Sequence, residues 1–166
     1  MRRIGPPLAA VLALSLVIGG AQAQGVPAEV ETIPAAPDAR QHLPEGADHD
    51  YGTPFPTSGP HSPHWTAAGF YTEVLPSIQL VHALEHGNIV IYYDQPGEAV
   101  TTRLRDWTRT YSGHWDGIVV TPSPGIGEQI VLTAWQKRLF LARYDEEEAA
   151  AFIDAFRGRG PEHPVR

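Results

Sequence analysis

A seven-residue string near the middle of the chain, Val81-His82-Ala83-Leu84-Glu85-His86-Gly87, gathers the residue types that do chemistry. On a helix, at ~100° per residue, positions 82, 85 and 86 fall within an arc of about 100°, so two imidazoles and a carboxylate project from one face. Leu80, Val81 and Leu84 take the opposite side and can pack on a sheet while the polar trio faces outward. Histidines at i and i+4 lie over neighbouring turns and can share one metal ion, and neutral imidazole is a good ligand for zinc or copper(II). Two ligands hold an ion weakly, so more must come from elsewhere. The loop Ser58-Gly-Pro-His-Ser-Pro-His64 is the obvious donor, with His61 preferred and His64 second.

The same string fits H-x-x-E-H, the inverted zincin signature, in which two histidines hold zinc and the glutamate activates water. Glu85 would then be the catalytic residue of a metal-dependent hydrolase. Against that stand Gly87, which ends the helix at once, and the short chain. A polar helix face can also be merely solvated, which leaves a third reading: a metal-free module whose proline-rich loop and acidic surface meet a partner protein. His42, His49, His114 and His163 stand alone in sequence and read as exposed or structural. Trp107, Trp115, Trp135, Tyr92 and Tyr93 are assigned to the core rather than to a pocket. No G-x-G-x-x-G, Walker or G-x-S-x-G pattern occurs, so nucleotide binding and serine hydrolysis have no support.

Composition narrows the ligand chemistry. The chain has no cysteine, and its single methionine is Met1. Disulfides, thiolate sites and a sulfur-based copper(I) site are therefore excluded, and a nitrogen and oxygen site remains. Residues 1–23 have the three parts of a signal peptide: basic Arg2 and Arg3, an apolar run from Leu8 to Ile18, and the small-residue site Ala21-Gln22-Ala23. The run is about 11 residues, against the ~20 that a spanning helix needs, so cleavage near Ala23 is expected rather than a stable membrane anchor. The product would be periplasmic or secreted. It would carry ten basic residues against nineteen acidic ones, a balance that repels nucleic acid.

The elements that must position the histidines follow from periodicity and punctuation. Residues 24–50 are rich in proline, alanine and acidic residues without apolar period and read as a flexible leader. Residues 51–162 form a single globular domain, and 163–166 a tail. Within the domain, Tyr51 to Trp65 reads as an ordered irregular loop lying on the fold. A short strand is expected at GFYTEVL from Gly69, ended by Pro76, then a helix capped by Ser77 and running to His86, with Gly87 at its C-terminus. Asn88–Tyr93 reads as a buried strand, followed by a helix from Glu98 to Tyr111. Strands are expected at Ile118–Thr121, Gln129–Trp135 and Arg138–Ala142, and a last helix over Asp145–Arg157, N-capped by Asp145. The fold class is α/β, with mixed α+β as a variant: a small mixed sheet flanked by helices, in an element order compatible with a thioredoxin-like arrangement.

Several strings in this order resemble one family: Pro56-Thr57-Ser58-Gly59-Pro60-His61, Gly69-Phe70-Tyr71, the HALEHG string with Val90-Ile91-Tyr92, Ala134-Trp135, and Pro161-Glu162. They look like domain of unknown function family 3105 (DUF3105), over about Asp48 to Glu162. The resemblance implies an exported or tethered bacterial protein in which His61, His82, Glu85 and His86 belong together, and it supplies no activity. Gln136 follows Ala134-Trp135 where that family tends to have glycine, so a local turn there would have to form without it. The expectation is thus an exported domain holding copper(II) or zinc through His61, His82 and His86, with Glu85 or His64 completing the set, for buffering, storage or delivery.

Overall fold

The computed structural model describes Met1 and residues 29–166 of the chain. Apart from Met1, the segment read as a signal peptide lies outside the described residues, as do leader residues 24–28. Among the described residues no helix is long and apolar enough to cross a membrane.

β-Branched and aromatic runs make the sheet. Strands β1 (Glu31–Thr32), β2 (Gly69–Phe70), β3 (Ile89–Tyr93), β4 (Ile118–Pro122), β5 (Ile130–Ala134) and β6 (Lys137–Leu141) lie in the order β1-β6-β5-β3-β4-β2. β3 and β4 run parallel, as do β2 and β4, whereas β5 is antiparallel to both β3 and β6. The mixed sheet flanked by helices is the expected fold class. Alternation along β3 sends Ile89 and Ile91 to one core and Val90 and Tyr92 to the other. Helices α2 (Glu98–Thr110) and α3 (Glu146–Phe156) cover the first face through Leu104, Trp107, Phe152 and Ile153. Helix α1 (Ser77–His86) covers the second with Leu80, Ala83 and Leu84, joined by Phe55 from the irregular loop.

Several local expectations were met and a few were altered. Asp145 accepts hydrogen bonds from the amides of Glu147 and Glu148, both at 3.0 Å, and so caps α3. Ser77 makes no such bond: extended Pro76 is the N-cap of α1, and its carbonyl takes the amides of Gln79 and Leu80. The strand expected from Gly69, β2, is only two residues long, because after Tyr71 donates to Val120 the chain leaves the edge of the sheet. Part of the segment read as a leader is seated on the domain: Glu31–Thr32 pair with β6, and His42 bridges to His61.

β5 and β6 are joined through Trp135 and Gln136, with Ala134 opposite Lys137. Gln136 holds φ at 60°, the left-handed region in which a side chain costs about 1 kcal/mol and glycine almost nothing. The turn forms anyway, fastened by Gln136 N–H donating to the Thr57 carbonyl at 3.0 Å and by its own carbonyl accepting from Ile33. Gln136→Gly is expected to relieve this strain, raising stability by about 0.5–1 kcal/mol in a denaturant titration with unchanged slope.

Candidate metal centre

Helix α1 is buried all round its last two turns. Leu80 through His86 are all nearly inaccessible, including the polar trio. This corrects the outward-facing polar face read from the sequence: helical periodicity places His82, Glu85 and His86 on one side but says nothing of what covers that side. The cover is the histidine-bearing loop. The amide of Ser62 donates to the Ile78 carbonyl at 3.1 Å and that of Thr66 to Gln79 at 3.3 Å, which ties the loop along α1. The loop is pinned in turn by Tyr51, whose hydroxyl donates to the Pro60 carbonyl at 2.6 Å. Its ring lies against Gly59, where any Cβ would stand 2.6 Å from Tyr51 Cε1.

A second cover comes from the end of the chain. After α3, Gly158 N–H donates to the Gly87 carbonyl at 2.8 Å and Glu162 N–H to the Glu85 carbonyl at 3.3 Å. Gly160 sits so close that a Cβ on it would be 2.2 Å from the Glu85 carbonyl oxygen. Helix α1 itself ends on Gly87 at φ 107°, in the left-handed conformation expected of that residue.

These covers gather two groups of ligand-type side chains that share His82. In each group, one ligand atom per residue lies within 4.8 Å of those of the others. The inner group is His42, His61, His82 and Glu85; the outer group is His82, His86 and Glu162. His61, with none of its surface exposed, stacks obliquely on His82 at 4.8 Å between ring centroids, and His42 lies 5.0 Å from His82. The loop therefore closes over the helix as expected, but the set expected from sequence is divided. His61 and His86 belong to different groups, with His82 between them.

His64 does not join either group. Its side chain is largely exposed, and Nε2 lies 3.0 Å from a Glu45 carboxylate oxygen, on the solvent side of the loop. Three participants escaped sequence reasoning. His42 comes from a segment without periodicity. Glu162 stands in the Pro161-Glu162 string, which was the available signal for it. Arg40 reaches Glu85 from the same seated segment as His42. His114, exposed, stacks on His86 at 4.7 Å, and Trp65 and Trp115 lie 4.9 and 4.3 Å from the His86 ring.

Backbone carbonyls fix the tautomers. His61 Nδ1 lies 2.9 Å from the Gly59 carbonyl, and His82 Nδ1 lies 2.7 Å from that of Ser62. A carbonyl only accepts, so each Nδ1 carries hydrogen, and Nε2 is the nitrogen left to bind an ion, at His61 once that nitrogen is free of its own proton. His61 Nε2 is 3.0 Å from Glu85 Oε2 yet buried and poorly aligned for a hydrogen bond. Glu85 Oε1 accepts from Arg40 Nε at 2.8 Å. His86 Nε2 faces Glu162 Oε2 at 3.1 Å, with His82 Nε2 at 3.9 Å from the same oxygen.

Electrostatics divide the imidazoles. Burial lowers His82 and His86 to about 4, helped at His86 by neighbouring His82 and His114, so both are neutral at ordinary pH. Burial works the same way on His61, but the Glu85 carboxylate and the Gly59 carbonyl outweigh it and hold His61 above its usual value. Glu85 is opposed by burial and still falls to about 2, because His61 and Arg40 both favour its charged form. An unfolded chain takes up protons on His82 and His86 near pH 6.5, whereas the folded one refuses them until about pH 4. Stability is therefore expected to fall as pH drops from 6.5 to 4, by on the order of 3 kcal/mol per imidazole at most. His61, held above its usual value, opposes this fall only near the top of the window, and Glu85, which an unfolded chain protonates near 4.5, adds to the fall at its acid end. Thermal melts of wild type and His86→Gln between pH 7 and 4 measure this, with a shallower decline in the variant.

Comparison with known proteins adds one finding. Residues 42–166 match the family described as "Protein of unknown function (DUF3105)". The match covers His42, His61, His82, Glu85, His86 and Glu162 alike. No curated protein and no solved structure matches the chain.

Proposed function

We propose, from the premise that this chain belongs to the DUF3105 family and takes no activity from it, that it is an exported protein that binds one copper(II) or zinc ion, for buffering, storage or delivery. The observation that carries this is the pair of buried imidazoles, grouped with Glu85, whose Nδ1 hydrogens are fixed on backbone carbonyls, which leaves Nε2 of each ring as the nitrogen able to bind an ion. Metal-binding histidines characteristically anchor the other ring nitrogen in this way. Ligand atoms around one zinc at bonds of ~2.1 Å stand roughly 3.0–3.5 Å apart. The 3.0 Å gap between His61 Nε2 and Glu85 Oε2 is of that size. His42, exposed at the rim, can move in as a further nitrogen donor. Among ions that favour imidazole and carboxylate without sulfur, copper(II) and zinc fit best. Export rests on the leading sequence alone.

The hydrolytic reading has less behind it. One oxygen of Glu85 accepts from Arg40 and the other lies 3.0 Å from His61, and its low proton affinity makes it a poor base for water.

Near pH 6, below a proton affinity that is raised from the ordinary histidine value, His61 of the ion-free chain carries a proton facing Glu85, and an ion taken by His61 must displace it. Calorimetric titration of copper(II) or zinc into the protein, in two buffers of different ionisation enthalpy near pH 6, is expected to show one ion per chain and about one proton released. Apparent affinity should rise about tenfold per pH unit while His61 remains protonated. Absence of binding by both ions ends the proposal.

A further inference from the structure

The geometry points to two successive stations for a single ion: the inner group holds it, and the outer group, His82, His86 and Glu162, is where it is handed to an acceptor. This rests on the metal-binding reading above and adds a route and a stoichiometry to it. His82 belongs to both groups, and its Nδ1 hydrogen is committed to the Ser62 carbonyl at 2.7 Å. In that tautomer Nε2 carries the one lone pair that His82 can offer, so an ion in either group must take it and two ions cannot use it together. An ion bound to His82 can exchange its other ligands from His61 and Glu85 to His86 and Glu162 without being released.

The outer group differs from the inner in ways that suit departure. It has two imidazoles and one carboxylate, where the inner has three imidazoles and one. Glu162 is 37 % exposed at its side chain, and Glu85 is 4 % exposed. His86 Nδ1 is buried without a hydrogen bond of good geometry, although the His114 carbonyl bears on the ring, so the ring is anchored less firmly than those of His61 and His82. Glu162 itself rides on the terminal segment that Gly160 seats against the end of α1. Trp65 flanks the opening and is 41 % exposed. An acceptor with its own nitrogen or carboxylate donors can approach Glu162 there and add a ligand before His82 lets go.

The test uses copper(II) and the full domain, with tryptophan emission as the readout. Trp65 and Trp115 both adjoin His86, so bound copper quenches them and removal by excess EDTA restores emission. Wild type is expected to bind one copper(II). Glu162→Gln should still bind one and release it to EDTA about tenfold more slowly, since the inner group is intact and the exit ligand is lost. His86→Gln should behave likewise, whereas His42→Gln should not slow release. Simultaneous uptake of two ions by wild type overturns the proposal. So does release at the wild-type rate from Glu162→Gln, a loss of binding in that variant, or slowing in His42→Gln alone. Failure of wild type to bind at all overturns the metal-binding reading with it, and is told apart by the missing quench at the outset.

Discussion

His82→Ala is expected to lower affinity for copper(II) and zinc on the order of 100-fold or more, the largest loss of any single substitution in the chain. The reason is position: His82 is the residue common to both groups, so its removal leaves His42, His61 and Glu85 on one side and His86 and Glu162 on the other with no shared nitrogen. His61→Ala should lose less, because the outer group survives it. His64→Ala should change affinity by no more than about twofold, since that ring faces Glu45 and solvent. Calorimetry on the three variants ranks them. An order in which His64 matters as much as His82 would place the ion elsewhere.

The second large effect falls on stability. Glu85 is 3 % exposed and joins the buried His61 to Arg40, whose side chain is mostly in solvent. Stripping one partner from a buried ionic pair costs about 3–5 kcal/mol, because the remaining charge is left without compensation. For Glu85→Ala the lower end, about 3 kcal/mol, is expected: His61 can shed its proton, and Arg40 can turn into water. In a domain of this size that corresponds to a melting temperature lower by roughly 6–12 °C. Arg40→Ala should cost less than about 1 kcal/mol, as for other exposed partners. The accompanying signature is electrostatic: in Glu85→Ala the His61 proton affinity should drop below the ordinary imidazole range, because burial then acts without the carboxylate that opposed it. Proton NMR of the His61 ring across pH reads this directly, and a His61 that titrates as before would show that Glu85 does not hold its proton.

What the sequence conveyed and what it withheld divide along physical lines. Ile89–Tyr93, Ile118–Pro122 and Ile130–Ala134 were legible because β-branched runs bounded by glycine and proline have few other uses. Asp145 before three glutamates announced α3 for the same local reason. The convergence of SGPH on the HALEH turn was also legible, since an irregular segment rich in histidine and aromatics needs something to order it. The burial of the polar face was not, because periodicity reports which residues share a side and tertiary packing decides what meets that side. His42 and Arg40 could not be found for a related reason. They lie in a stretch without apolar period, held by a single bridge to His61 and a two-residue strand, and neither leaves a pattern. The division of the expected ligand set at His82 depends on how far apart the ligand atoms come to lie in the folded chain, and spacing along the chain carries no information on that. At Gln136 the turn formed in spite of its side chain, because hydrogen bonds to Thr57 and Ile33 offset a strain of about 1 kcal/mol.

The central claim is that imidazoles from the loop and from α1 take hold of one ion. Electron paramagnetic resonance of the one-to-one copper(II) complex tests it most directly, because hyperfine coupling to nitrogen counts the imidazoles bound. Coupling to at least two histidine nitrogens, reduced by one in His61→Ala and again in His61→Ala combined with His82→Ala, is the predicted result. A spectrum with oxygen ligands alone, or one that neither substitution alters, would contradict it.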